Sequence, residues 1–217
     1  MRKKIGLAFF LFVFCGLVSF SQIEVNIDSL YNVFADSSKY DNILRIKLFG
    51  MNSEWENGYI VTLKRDTIVG QIKLHEDGIH ASVKNGQAVK KYRADKYFAV
   101  RYGKRFFVSK KLDGYLVNAE LLESGKINLY AYEQVYKGAI LMGAGGQHRT
   151  SYYFENEKYI YGPFSSNWTD FRKSSAFESC IGDYKTLLNK YVNKEFKFSD
   201  LRIIIKIYNY WCNKNFR

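Results

Sequence analysis

Hydrophobic and polar residues alternate one by one through the middle of the chain, a period that is typical of β-strands. In Gly58–Leu74 the first run places Tyr59, Val61 and Leu63 on one face, and a second run rich in Ile and Val follows. The polar residues between the runs are few enough to force an antiparallel hairpin. Gly70 inside the second run predicts a bulge or a close approach of two backbones.

Further pairs of β-compatible runs follow, and each pair is separated by a short polar turn. The pairs are Ile79–Lys84 with Gln87–Tyr92 around Asn85-Gly86, Tyr97–Tyr102 with Arg105–Ser109 around Gly103-Lys104, Tyr115–Asn118 with Lys126–Tyr130, and Ser151–Glu155 with Tyr159–Tyr161. Successive hairpins with such short turns predict an antiparallel meander that curls or closes. The glycine-rich stretch Gly138–Arg149 interrupts the order and is interpreted as a loop.

The last fifth of the chain changes to a helical period. Tyr184, Leu187, Leu188 and Tyr191 fall on one face of a helix, and Thr169–Glu178 is compatible with a short one. Ser199-Asp200 is predicted to cap a longer helix with a broad apolar stripe, which consists of Leu201, Ile204, Ile205, Tyr208, Trp211 and Cys212. The predicted fold class is α+β: a curved antiparallel β-meander, open or barrel-like, with two or three C-terminal helices packed on it.

The N-terminus has the pattern of a secretory signal peptide. Three basic residues precede the apolar run Gly6–Val18, and Ser19-Phe20-Ser21 offers small residues at positions −3 and −1 of a cut before Gln22. The alternative, a membrane anchor, is disfavoured because the run is shorter than the ~20 residues that span a bilayer. The predicted organisation is therefore 1–21 signal peptide, 22–54 N-terminal segment, 55–165 antiparallel β domain, and 166–217 a helical part of the same domain.

Within the N-terminal segment, two short stretches have a recognisable period. Asp28-Ser29 could cap a short helix that contains Leu30, Val33 and Phe34. Ile43–Phe49 fits either a strand or a helical turn.

The hairpin motif and the C-terminal helix together resemble exported Bacteroidota proteins without an assigned activity. The residues that carry the resemblance are Gly58–Ile60 and Asp66–Ile72, read as GYIVT…DTIxGxI, together with Ile203–Asn209. Arg65 stands where that pattern commonly has Gly. The resemblance implies a cell-envelope protein, periplasmic or on the cell surface, and it supplies no catalytic residues.

Two cysteines, Cys180 and Cys212, remain after the predicted cleavage. An even pair in an exported protein permits a disulfide, which would stabilise the fold by roughly 3–4 kcal/mol. The alternative is two buried thiols that behave as small hydrophobic groups.

Positive charge is concentrated in one region. The chain has a net charge of +12, of which Arg2, Lys3 and Lys4 are lost with the signal peptide, and Lys84–Lys111 alone carries ten basic residues against Asp95. Aromatic residues are interleaved with them. The residues predicted to bind are Lys90, Lys91, Arg93, Arg101, Lys104, Arg105, Tyr97 and Tyr102.

Such a surface attracts anions. Nucleic acid would fit it in a cytoplasmic protein, but export disfavours nucleic acid and favours lipopolysaccharide, an acidic glycan or an acidic protein. The alternative is a solvated outer face whose lysines guard the sheet edges against aggregation.

Reactive chemistry has little support in the sequence. His75 and His80 do not have the H-E-x-x-H spacing, and strand alternation is expected to place them on opposite faces around a turn at Asp77-Gly78. The sequence therefore predicts no metal site, no cofactor and no catalytic residue. The leading hypothesis is a non-enzymatic envelope protein that binds an anionic partner. The alternatives are an enzyme whose site is assembled from distant residues, and a scaffold that recruits a partner along a sheet edge.

Overall fold

The computed structural model describes residues 25–35, 54–136, 147–164 and 175–216. The predicted signal peptide, the stretch Ile43–Phe49 and residues 138–146 of the predicted glycine-rich loop lie outside these ranges. In the described part, a ten-stranded antiparallel sheet that does not close on itself carries helices near its C-terminal half. The predicted α+β class with a curved meander is confirmed.

The strands succeed one another as hairpins with one exception. They are β1 Glu56–Thr62, β2 Thr67–Leu74, β3 His80–Asn85, β4 Ala88–Arg93, β5 Tyr97–Tyr102, β6 Arg105–Leu112, β7 Tyr115–Glu123, β8 Asn128–Tyr136, β9 Gln147–Glu155 and β10 Ile160–Phe164. Their order in the sheet is β10-β9-β8-β7-β6-β5-β1-β2-β3-β4. The exception is β5, which pairs with β1 and not with β4, its neighbour in the chain.

This exception bends the first five strands into a tight curl, a name used below for β1–β5. Only a 3₁₀ turn, Ala94–Lys96, joins β4 to β5. Both strands run opposite to β1 in the sheet, and a parallel pair needs a crossover of about a dozen residues or more. Because the link is far shorter, β4 and β5 do not pair side by side, and the curl stays open between them.

The interior of the curl is apolar and contains two closely packed glycines. Gly58 of β1 and Gly70 of β2 lie directly opposite each other in the register. A Cβ at Gly58 would lie 1.9 Å from the carbonyl oxygen of Arg101, and one at Gly70 would lie 2.5 Å from that of Lys84. The close backbone approach predicted at Gly70 is confirmed. The buried residues around this corner include Ile60, Ile72, Leu74, Ala81, Val83, Val100 and Phe107.

The C-terminal helices cover one face of the other half of the sheet. Residues 27–35 form α1, followed by α2 Ser175–Ile181, α3 Lys185–Val192 and α4 Leu201–Asn215. The predicted apolar stripe of α4 is buried along its whole length and packs with Leu129 and Phe154 of β8 and β9. Asn209 fixes the helix to the turn before β8, since its side chain accepts the N–H of Ile127 (2.8 Å) and donates to its carbonyl (2.8 Å).

The turn between β2 and β3 connects the curl to the second half of the sheet. The backbone N–H of Asn118 on β7 donates to the carbonyl of Gly78 (2.7 Å), so the turn contacts β7 directly. A Cβ at Gly78 would lie 2.9 Å from the ring of Tyr132 on β8. The two halves are therefore joined both by the continuous sheet and by this second contact.

Four of the five predicted hairpins are confirmed, with corrections to their turns. In the fifth, Glu120–Glu123 pair with β8, whereas Tyr115–Asn118, predicted to do so, pair with β6. In the β3–β4 hairpin Asn85 pairs with Ala88, so the central residues are Gly86 and Gln87, one position later than predicted. Only Gly86 of these has positive φ (+59°), which excludes a type I′ turn, since that turn has positive φ at both central residues.

The hairpin of β6 and β7 was not predicted from the sequence. Its turn is Asp113-Gly114, in which both residues have positive φ, the geometry of a type I′ turn. An Asp-Gly pair between two β-compatible runs was the available signal.

Two boundary predictions are wrong. Residues 147–149, placed in a loop, belong to β9. Helix α1 begins before Asp28-Ser29, and Asn26 caps it by accepting the N–H of Ser29 (2.9 Å). Among the described helices, none is long and apolar enough to cross a membrane.

Candidate anion-binding site

The structure separates the predicted binding residues into buried and exposed groups. Tyr97 and Tyr102 are 0% and 3% exposed, because both face the interior of the curl. Their hydroxyls are engaged internally: Tyr97 donates to the side-chain oxygen of Asn118, and Tyr102 donates to the backbone carbonyl of Glu54 (2.8 Å). The prediction that these two rings form part of a binding surface is wrong.

Arg105 is also largely buried, and its charge is paired. Its guanidinium donates to both carboxylate oxygens of Glu120 (2.7 and 2.6 Å), and the two side chains are only 14% and 12% exposed. A bidentate pair of this kind neutralises the positive charge and holds it in one geometry. Arg105 therefore does not contribute free charge to the surface.

Arg101 and Lys104 lie apart from the remaining cations. Arg101 is half-buried on β5, and its Nε donates to the carbonyl of Gly103 (2.9 Å). Lys104 is exposed in the turn between β5 and β6.

Two exposed cations, Lys91 and Arg93, lie on β4, and the half-buried Lys84 and Lys73 extend the positive charge onto β3 and β2. Lys91 pairs with Ser82 of β3, which in turn pairs with Lys73 of β2, so the three side chains form one row on one face. Lys84 lies one row further along β3, and Arg93 on β4 pairs with His80. We call this set the basic face: Lys73, Lys84, Lys91 and Arg93.

The spacing within the basic face follows from sheet geometry. Neighbouring strands lie about 4.8 Å apart, so Lys73 and Lys91, two strands apart, are separated by about 10 Å at their backbones. That distance is comparable to the Debye length of about 8 Å at physiological ionic strength. Charges at this spacing are close enough for their fields to add at one point above the sheet.

Little compensating charge is present on this face. In the described ranges, no carboxylate lies within ion-pair distance of Lys73, Lys84 or Lys91, and Arg93 approaches Asp95 only at 4.0 Å in solvent. Exposed ion pairs at such distances contribute little. Arg105 and Lys110, by contrast, each hold a carboxylate closely. The cations of the basic face therefore differ from Arg105 and Lys110, because their charges are not neutralised by any nearby carboxylate that the structure describes.

Lys90, the remaining predicted cation of β4, points to the opposite side of the strand. It pairs with Val83, whose side chain is buried inside the curl. Its Nζ lies 5.0 Å from the centre of the Tyr92 ring, a cation–π contact at the exposed edge.

One end of the basic face is formed by the β2–β3 turn. The carboxylate of Asp77 accepts the backbone N–H groups of Ile79 and His80 (both 2.9 Å) and contacts the His80 ring (2.6 Å). These hydrogen bonds outweigh the effect of burial and lower the pKa of Asp77. The carboxylate is thus engaged by its own turn.

His75 and His80 lie side by side and not on opposite faces, which corrects the sequence prediction. Their ring centres are 6.2 Å apart, because His75 and His80 close the turn as a backbone pair. His75 contacts the hydroxyl of buried Ser82 through Nε2 (2.8 Å). Burial and the nearby charge of Lys91 lower the pKa of His75.

This pair does not form a catalytic triad in the described structure. No described carboxylate hydrogen-bonds to His75, and the Ser82 side chain is buried. The described residues also contain no cluster of three or more His, Cys, Asp or Glu that could hold a metal ion.

A second polar cluster lies on β6, β8 and β9. Lys110 forms an ion pair with Glu155 (2.7 Å), and the hydroxyl of Tyr130 donates to the same carboxylate (2.7 Å). Burial alone would raise the pKa of Glu155, but these hydrogen bonds outweigh it and lower the pKa. The cluster binds Lys110 internally and removes it from the exposed charge.

Both cysteines are free thiols in the structure, and both are buried. Burial raises the pKa of Cys180 and of Cys212, so neither is activated as a thiolate. The arrangement matches the alternative of two buried thiols and not the disulfide.

Lys73 was not among the predicted binding residues, because it lies outside Lys84–Lys111 and reaches the basic face only through strand pairing. The available signal was the shared alternation of β2 and β3. Comparison with known proteins adds nothing to this assignment: no family model, no curated protein and no solved structure matches the chain.

Proposed function

We propose that this protein is an exported cell-envelope protein that binds an anionic partner without catalysis. The observation that carries the proposal is the basic face, where Lys73, Lys84, Lys91 and Arg93 lie close together on three adjacent strands. Like charges at this spacing repel, so they favour a ligand that neutralises several of them at once.

The N-terminal pattern and the resemblance to exported Bacteroidota proteins support the envelope as the location. Anionic groups there include the phosphates of lipopolysaccharide and the carboxylates of acidic glycans and acidic proteins. Nucleic acid is not part of the proposal.

The experiment replaces all four basic-face residues with Gln and measures binding to purified lipopolysaccharide and to an acidic glycan at low and high salt. Surface charge contacts contribute about 0.2–1 kcal/mol each, so the quadruple variant is expected to lose about 0.8–4 kcal/mol, which is about fourfold to several hundredfold in affinity. Binding by the unmodified protein is expected to weaken as salt rises, because screening shortens the reach of the charges.

The matched control removes four exposed lysines elsewhere, Lys111, Lys158, Lys185 and Lys214, and so changes the net charge equally. It is expected to bind nearly as well as the unmodified protein. If both variants lose the same affinity, only net charge matters and the basic face is not a site. If the unmodified protein binds neither of these ligands and no acidic peptide, the proposal fails.

A further inference from the structure

The sheet has two edges, and they differ in their capacity to accept another strand. The β10 edge contains Pro163, which has no N–H, and its pairing with β9 shifts register between Tyr161 and Phe164. Proline and irregular pairing protect an edge from strand addition. Strand β4 has neither feature: its pairing with β3 is regular from Arg93 to Ala88. In the described part of the chain, β4 is therefore the edge strand that could pair with an added strand.

The backbone groups that β4 presents outward can be identified from the hydrogen-bond pattern. The N–H of His75 donates to the carbonyl of His80 (3.1 Å), so His80 points toward β2. Backbone direction alternates along a strand, which turns Ala81 and Val83 toward β4. The N–H of Ala94 donates to the carbonyl of Ile79 (2.8 Å), in agreement with this alternation.

The partners of Ala81 and Val83 on β4 are Tyr92 and Lys90, so these two residues use their backbone groups on β3. It follows that Val89, Lys91 and Arg93 direct their N–H and C=O groups away from the sheet. Three consecutive outward positions are sufficient to pair with a short extended peptide.

The side chains at these three positions share one face. Lys91 and Arg93 are exposed members of the basic face, and Val89 beside them is 56% exposed. Lysine on an edge often serves only to prevent aggregation. An exposed valine does not have that effect. Together, the valine and the two cations offer one apolar and two positive positions, which an extended segment with one aliphatic and two acidic residues would match.

We infer that β4 binds an extended acidic peptide segment as an eleventh, antiparallel strand. In antiparallel pairing the peptide runs from Arg93 toward Val89, and residues directly opposite each other share a face. The preferred sequence is therefore acidic, any, acidic, any, aliphatic, with the two carboxylates opposite Arg93 and Lys91. This inference rests on the proposed function and specifies its partner as an acidic protein segment.

The test uses a fluorescent nine-residue peptide, Ser-Thr-Glu-Thr-Glu-Thr-Val-Thr-Ser, and fluorescence anisotropy with the whole protein. Two N-methylated versions separate backbone pairing from charge. Methyl groups on the amides of the two Glu and the Val would block the hydrogen bonds to β4 and are expected to weaken binding at least about tenfold. Methyl groups on the intervening Thr amides point away from β4 and are expected to leave binding nearly unchanged.

The protein side is tested by Val89→Pro, which removes an outward N–H but no hydrogen bond to β3 and no charge. The variant is expected to lose peptide affinity at least about tenfold while its binding to lipopolysaccharide stays the same. Hydrogen exchange gives a readout on the unaltered protein: peptide should slow exchange at the amides of Val89, Lys91 and Arg93, whereas those of Lys90 and Tyr92 are already bonded to β3.

Each outcome is decisive. Binding that is insensitive to the position of the methyl groups, with no change in exchange at the three amides, would overturn the inference and leave simple charge attraction. If the unmodified protein binds lipopolysaccharide through the basic face but does not bind the peptide, the inference is overturned and the proposed function is not. Binding of neither ligand would overturn both.

Discussion

Asn209 shows how one polar side chain can determine the placement of a helix. It is 6% exposed on the buried side of α4, where the surrounding residues are apolar. Its amide satisfies both backbone groups of Ile127, which are buried beneath the helix. A buried backbone N–H or C=O without a partner is costly, so the residue at position 209 affects the turn as well as the helix.

Replacing Asn209 with Ala is expected to destabilise the protein by about 2–6 kcal/mol, because two buried backbone groups lose their partners at about 1–3 kcal/mol each. Urea unfolding followed by circular dichroism measures the change in free energy of unfolding. Asn213→Ala, on the exposed side of the same helix, is the control and should change it by less than about 0.5 kcal/mol. Equal effects of the two substitutions would contradict the anchoring role.

At this scale the sequence predicts burial better than it predicts pairing. The apolar stripe of α4 was identified from its period alone, since helical spacing fixes which side chains share a face. Tyr97 and Tyr102 were misplaced because a tyrosine suits either a core or a surface, and only the curl of the sheet decides which. The pairing of Arg105 with Glu120 depends on the register of two strands, which composition does not reveal.

At the scale of elements, the opposed pair Gly58 and Gly70 makes the curl possible. Each glycine allows a neighbouring backbone to approach where a side chain would otherwise stand. Glycine in a strand commonly marks such a tight bend. The two positions act together, because they lie opposite each other in one hairpin and face β5 and β3 respectively.

Gly58→Ala and Gly70→Ala are each expected to cost about 1–3 kcal/mol or more, as overpacked core substitutions do. Each new methyl group would overlap backbone atoms, which cannot move away as a flexible side chain can. Thermal and urea unfolding of the two variants measure the loss. Val69→Ala, at an exposed position of β2, should cost less than about 1 kcal/mol. A methyl group accepted at Gly58 without loss of stability would mean that the strands are not as close as the structure shows.

The hairpins could be predicted from the sequence, whereas the pairing of β1 with β5 could not. Each turn carries a local signal, such as Gly103 or the missed Asp113-Gly114. The β1–β5 pairing joins segments that are separated by two further hairpins, and neither strand contains a local sequence signal for it. The arrangement of the basic face could not be predicted for the same reason, since strand pairing and not proximity in the sequence places Lys73 near Lys91.

At the scale of the whole molecule, Tyr97 joins the two halves. It is fully buried in the curl, and its hydroxyl donates to Asn118 on β7, next to the contact between the β2–β3 turn and the same strand. Burial raises the pKa of Tyr97 well above its ordinary value, so the hydroxyl stays protonated and donates. The halves therefore share a polar contact beyond the continuous sheet.

Tyr97→Phe is expected to lower the free energy of unfolding by about 1–2 kcal/mol, since the Asn118 side chain loses a buried partner. Tyr92→Phe, on the exposed edge strand, removes a hydroxyl with no hydrogen bond in the described structure and should have almost no effect. Urea unfolding measures both variants. If the two substitutions were equally mild, the contact between the halves would be of no energetic importance.

The pairing of β1 with β5 also affects the order in which the curl can form during synthesis. The hairpins of the curl can form as soon as their own residues emerge, because their contacts are local. One side of β1 nevertheless stays without a partner until β5 arrives, the last of the five strands. A chain that is translated or translocated from its N-terminus therefore carries an unpaired strand edge from the time β1 emerges until Tyr97–Tyr102 follows.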